Sequence, residues 1–271
     1  MKKIIALLLA VMMVAVCFTS CGENKDKNND ATSKTEVKAD SDLSYVQGKG
    51  KLVVGITDFE PMDYQDESGN WIGFDADMAK AFGESIGVSV EFTEIDWDNK
   101  VMELDGKSID CAWNGMTLND EVKSAMSCSN AYCNNAQVVI VKSADASKYQ
   151  SAADCKDLKF AVESGSAGQK AAQANGYQFT EVTALMEVKA GTCDAAIIDS
   201  LMAAAMVGEG TGYAELTYTA KLTSEEYGVG FRKGSDLTEK LNEFFKTAFE
   251  SGKTAEIAEK YGVQAAIINQ K

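Results

Sequence analysis

The sequence predicts an α/β fold of mostly parallel sheets covered by helices on both faces. Three observations carry this: strand-like and helix-like segments alternate from Tyr45 onward, no fixed repeat appears, and the 271-residue chain is long enough for a sizeable core. The short apolar run 51–56 reads as the first strand. A helix follows over 75–86, with Asp75 placed as its N-cap and Gly87 as its stop. Alternation predicts a strand over 89–95, then a short helix over 99–104 and a strand over 109–113. Further strands are expected at 137–141, 158–162 and 194–198, and helices at 167–174 and 200–207. Strong closing helices span 236–251 and 254–261.

The N-terminus has a different character. Lys2 and Lys3 precede an apolar run over 4–16, and Phe18-Thr19-Ser20-Cys21-Gly22 follows. A basic region, a short apolar stretch and small residues before a cleavage point describe an export signal over 1–20. The run is shorter than the roughly 18 apolar residues of a membrane span. The cysteine directly after the small residues resembles the lipobox of a bacterial lipoprotein, which implies lipidation at Cys21. Phe18 stands where leucine is more usual, so an ordinary secretory signal is the alternative. Residues 21–44 then read as the lipidated cysteine and a flexible linker, too polar to bury enough apolar surface to offset ordering.

Composition excludes several functions. The net charge of −15 repels phosphate backbones and makes nucleic acid an improbable partner. With no histidine, Ser-His-Asp and Cys-His catalysis and most zinc sites are excluded. Arg232 is the sole arginine, so any arginine clamp on an anion must use it. Cys111, Cys128, Cys133, Cys155 and Cys193 match no metal motif; Cys111 and Cys193 read as small buried hydrophobes. Cys128 and Cys133 are near enough in sequence to pair, but free thiols are the favoured reading. No metal or cofactor is expected.

Four stretches carry a family resemblance. They are Lys51-Leu-Val-Val-Gly55 leading to Phe59-Glu-Pro-Met-Asp-Tyr64, Gly73-Phe-Asp-Ala-Asp-Met-Ala79, Asp110-Cys-Ala-Trp-Asn-Gly-Met-Thr117 and Tyr227-Gly-Val-Gly-Phe-Arg-Lys-Gly234. In this order and spacing they resemble the type II (periplasmic-type) solute-binding proteins of ABC importers, in the polar amino-acid branch. The resemblance spans roughly 45–263. It implies two α/β lobes joined by two crossings and closing on a ligand. Lobe 1 is then 45–131 plus 228–271, and lobe 2 is 137–222. The crossings fall near 132–136 and 223–227.

The resemblance also implies a ligand site. Phe59 and Trp97 fall where aromatic walls stand, suited to an aliphatic stem or a cation; core packing is the alternative. Asn114, Gly115 and Thr117 lie at a strand's end, where open α/β sheets bind ligands. Thr117 could donate to a carboxylate or simply cap a helix. Glu163-Ser-Gly-Ser-Ala-Gly168 joins a strand to a helix whose amides attract anions, with Ser166 as a carboxylate contact. Asp199 matches the acid that receives an α-ammonium, although alone it would read as a helix cap.

One departure stands out. Members of the family usually carry an arginine five positions after the threonine, forked against the α-carboxylate; that position here is Val122. Lys123 points roughly 100° away on a helix, and Arg232 belongs to a later strand. Either backbone donors hold the carboxylate or the ligand is not a standard α-amino acid, and Glu163 with Asp199 favours a cationic or amine-bearing ligand. The expected function is a lipid-anchored, monomeric receptor on the extracytoplasmic face of the cell membrane. It would deliver a small polar solute to an ABC permease without being an enzyme. A sensor for a signalling partner is the alternative, with a dehydratase-like enzyme behind it.

Overall fold

The computed structural model describes residues 41–270. The expected leader, Cys21 and the linker as far as Asp40 lie outside the described residues. The linker's last part does not stay a linker: α1 (Asp42–Lys49) begins inside it, capped by the Ser41 hydroxyl. Its polar sequence is held by tertiary contacts, with Asp42 paired to Arg232 at 3.0 Å and the Leu43 N–H donating to Asp236.

In chain order there follow β1 (Lys51–Ile56), β2 (Tyr64–Gln65), β3 (Trp71–Ile72), α2 (Phe74–Ser85), β4 (Ser89–Glu94), α3 (Lys100–Asp105), β5 (Cys111–Thr117), α4 (Asp120–Ala125), β6 (Ser127–Cys128) and β7 (Cys133–Asn135). The second half comprises β8 (Gln137–Lys142), β9 (Lys159–Val162), α5 (Ala167–Asn175), β10 (Gln178–Glu181), α6 (Ala184–Ala190), β11 (Ala195–Asp199), α7 (Ser200–Met206), β12 (Leu216–Lys221), β13 (Glu225–Phe231), α8 (Leu237–Glu250) and α9 (Lys253–Lys260).

Two main sheets form two lobes. The first runs β4-β1-β5-β13-β6 with β7 also on β13, and the second runs β10-β9-β11-β8-β12. The sheets are mixed rather than mostly parallel. β4, β1 and β5 are parallel, as are β10, β9 and β11, but β13 and β8 run against them. These two strands enter their sheets straight from the crossings, without the helical return that parallel pairing requires. The crossings lie side by side, with β7 antiparallel to the start of β13 and Cys133 opposite Tyr227.

Both faces of each sheet are covered, which explains the unbroken apolar runs. Along β1, Leu52, Val54 and Ile56 face a core with Phe82, Trp113 and Phe245, while Val53 faces Trp97, Leu104 and Met126. β8 sends Val139 and Val141 to one core and Val138 and Ile140 to the other.

Asp75 is not the N-cap of α2. Gly73 occupies that position, and Asp75 is buried inside the first turn, accepting from the Gly115 N–H at 2.7 Å and the Tyr132 hydroxyl at 2.6 Å. All five described cysteines are free, so Cys128 and Cys133 form no disulfide. No helix among the described residues is long and apolar enough to cross a membrane.

Candidate functional site

The cleft between the two sheets is reached by the C-terminal ends of β1, β5, β9 and β11. A narrow cavity of about 30 Å³ there is lined by Phe59, Trp97, Asn114, Gly115 and Thr117 from the first lobe, and by Glu163, Ser166, Ala167 and Asp199 from the second. All eight residues expected at the site border it, with Ala167 added.

Local structure explains each placement. Gly115 sits at φ +57°, and a Cβ there would meet the Phe59 ring at 2.5 Å, so glycine lets backbone and ring approach. Phe59 is both wall and core: it is buried, with its ring edge-on to Tyr227 at 6.3 Å. The Asn114 amide donates to Thr57 at 2.8 Å, while its buried carbonyl oxygen has no protein partner among the described residues. Thr117 donates to Glu225 at 3.1 Å, and Asn119, not Thr117, caps α4. Ser166 caps α5 by accepting from the Gln169 N–H.

Asp199 is the hub. Its Oδ1 accepts from Asn135 at 2.5 Å, Gln137 at 2.8 Å and the Tyr227 hydroxyl at 2.6 Å. Among the described residues its Oδ2 accepts from none. Burial, reinforced by Glu225 and only partly offset by the Tyr227 and Gln137 hydrogen bonds, pushes its carboxyl up to about 7. Glu163 is likewise raised to about 7, mainly by burial, against the opposing Lys100 charge. Its side chain is nonetheless open to the cleft, so water at the mouth moderates that shift.

Two larger chambers flank the narrow cavity. One, of about 570 Å³, shares Trp97, Glu163, Ser166 and Asp199 with it and adds Asp58, Glu94, Asp96 and Glu181. That gives six carboxylates and no lysine or arginine, with Leu185, Met186, Met202, Met206 and Tyr213 supplying apolar surface. The other, of about 240 Å³, shares Trp97, Thr117 and Ala167 and adds Val122, with Lys100 and Lys170 balanced by Asp98 and Glu121. Val122 is packed in the core beneath it. Arg232 is elsewhere, bound to Asp42, Asp110 and the Ile109 carbonyl.

Sequence reasoning missed Asn135, Gln137, Glu225, Tyr227 and Lys100. Asn135, Glu225 and Tyr227 fall in the expected crossings and Gln137 opens β8, and for Asn135 and Gln137 the polar residues directly before the apolar run of β8 were the available signal. Lys100 carried none beyond its closeness to Trp97.

The comparisons agree with this architecture. Residues 52–264 match the model for bacterial extracellular solute-binding proteins, family 3. The arginine-binding extracellular protein ArtP of Bacillus subtilis is 28% identical, over 96% of this chain and 98% of its own. A crystal structure of the P235GK mutant of ArgBP from T. maritima superposes with a TM-score of 0.76 at 30% identity, covering 82% of this chain and 99% of that one. Cyclohexadienyl dehydratase of Pseudomonas aeruginosa is 27% identical, over 50% of this chain and 52% of its own. With most of its length matched by the family model, and both lobes in place, the chain is a member of the bacterial extracellular solute-binding proteins, family 3.

Proposed function

We propose that this protein captures a cationic amino acid, or an amine-bearing relative, between its lobes and delivers it to an ABC permease. In this reading Cys21 tethers it as a monomeric lipoprotein on the extracytoplasmic face. The observation that carries the choice of ligand is the chamber beside Asp199: six carboxylates, no cation and an apolar wall of methionines. Such a lining fits an aliphatic stem ending in a positive charge and repels an acidic side chain. The α-ammonium would meet the Asp199 Oδ2, and the stem would run past Trp97. A dehydratase acting on an anionic substrate would need cations where this chamber has acids. The arginine-binding relatives point the same way.

A thermal-shift screen tests this, with L-arginine, L-lysine, L-ornithine, L-histidine, L-glutamine and L-glutamate. A ligand at a hundredfold its dissociation constant stabilises by about 2.7 kcal/mol, a clear upward shift. Shifts confined to the cationic members are expected. A shift with L-glutamate and none with the cationic members would refute the reading.

A further inference from the structure

Two buried side-chain atoms of the cleft lack a partner among the described residues, and both are acceptors. Gln137 lines the acidic chamber and is fully buried. Its amide nitrogen donates to Asp199 and Glu225, which fixes the orientation of the amide, and its Oε1 then receives no donor. Asn114, 4% exposed in the narrow cavity, repeats the pattern: its nitrogen donates to Thr57 and its oxygen is left over. A buried acceptor without a donor is costly, so these atoms call for a ligand rich in N–H groups.

The carboxylates of the chamber follow the strand order. In the second sheet Asp199 ends β11, Glu163 directly follows β9 and Glu181 ends β10, three neighbouring strands in that sequence. The first sheet places Asn114 on β5, Asp58 just after β1 and Glu94 at the end of β4, again three neighbours in sequence. Adjacent strands lie about 4.8 Å apart, so acceptors stand in three tiers over a run of roughly 10 Å. No lysine or arginine lines this chamber. Lys100 lines the other one, where the Trp97 and Gly165 carbonyls hold its ammonium. Beside the carboxylates, Met202 and Met206 on α7 and Leu185 on α6 give the chamber an apolar wall.

A single α-amino acid uses this lining poorly. Its carboxylate would meet acids and unpartnered acceptors, and one side-chain cation offsets little of the charge of six carboxylates. Ammonium groups joined by methylenes match the whole surface, with N–H donors for the tiers and a flexible stem for the methionines. We propose that the solute is a linear polyamine without a carboxylate. One ammonium sits at Asp199, Gln137 and Asn114, and the chain runs outward to a second or third at Glu94 and Glu181. This deepens the proposed capture of an amine-bearing solute and rests on that reading.

Calorimetric titration with matched pairs tests it: L-ornithine against putrescine, L-lysine against cadaverine and L-arginine against agmatine, each amine being its amino acid without the carboxylate. Spermidine and L-glutamate complete the set. Each amine should bind at least about tenfold more tightly than its amino acid, the scale of one charge-assisted contact. Spermidine should exceed putrescine by about threefold or more, a preference that shrinks as salt rises because the outer carboxylates are exposed. In the double variant Glu94→Gln with Glu181→Gln the ratio of spermidine to putrescine affinity should fall towards one. Amino acids that bind as tightly as their amines, or more tightly, overturn the polyamine assignment and leave the cationic reading standing. A spermidine preference that is absent, or that persists unchanged in the double variant, overturns the tiered placement. Binding of L-glutamate alone, or of no probe, sinks the inference together with the reading beneath it.

Discussion

Replacing Asp199 by asparagine separates the two things this carboxylate does. Asparagine keeps the shape, and its carbonyl can still accept from Asn135, Gln137 and the Tyr227 hydroxyl, which now hold Oδ1. What disappears is the charge offered by Oδ2 to a ligand ammonium. A charge-assisted hydrogen bond contributes about 1.5–3 kcal/mol, so affinity should fall by about ten- to a hundredfold. Stability should move the other way. Burial and Glu225 raise this carboxyl to about 7, so folding favours its protonated form. That contribution is fully present below the unfolded carboxylate range and is lost as pH rises through the folded value. The ligand-free variant should therefore melt above the wild type at about pH 8, and the gap should close towards about pH 5. Calorimetric titration and thermal melts at both pH values measure the two effects. Binding within about threefold of wild type would refute the placement of the ammonium site, and a variant less stable at the higher pH would refute the account of the raised carboxyl.

Burial raises the Asp199 carboxyl to about 7, so a cationic ligand must displace its proton below that pH, with a smaller share from the more exposed Glu163. Affinity should weaken about tenfold through Asp199 from about pH 8 to pH 6, with a proton released on binding; a flat profile in calorimetry would contradict this. Arg232→Met should leave ligand affinity intact but lower stability by about 3 kcal/mol, because it strips Asp110 and Asp42 of a buried partner. Denaturant melts measure that loss, and Lys49, also on Asp110, limits it. Tyr227→Phe removes one of three donors to Asp199 and should weaken binding about fivefold, measured by the same titration.

The inner strands β1, β5, β8, β9 and β11 were legible because each is buried on both faces and so appears as an unbroken apolar run, and β4 from its alternation, while the mostly exposed β10 carried no such signal. β12 was not, because Leu-Thr-Tyr-Thr-Ala-Lys lies at a sheet edge with Tyr218 55% exposed. The helix α1 was hidden in a polar stretch, since its order comes from Arg232 and Asp236, about 190 residues away in sequence. Asp75 looked like a cap because the residue type and position fit one. Only the packed structure shows that Gly115 and Tyr132 claim its carboxylate. The lining residues of the narrow cavity could be placed from ordered motifs, whereas the crossing residues could not. Asn135, Gln137 and Glu225 act through partners that meet only when two distant segments pair.

That pairing gives the site its logic. Asp199 is held by Asn135 and Gln137 from one crossing region and Tyr227 from the other, while Glu225 accepts from the same two amides and from Thr117. Two carboxylates thus share donors at the point where the lobes are joined, and the Glu225 charge disfavours ionisation of Asp199. A ligand ammonium at Oδ2 would offset that repulsion and draw Asp199 to its charged form, which strengthens all three hydrogen bonds it accepts. The gain falls on the strands that join the two lobes, so ligand charge would be felt at the crossings through one side chain. A neutral solute of the same shape would fill the cavity without engaging that coupling. Discrimination then arises from the cost of leaving Asp199 and Glu225 uncompensated as much as from contacts to the preferred ligand.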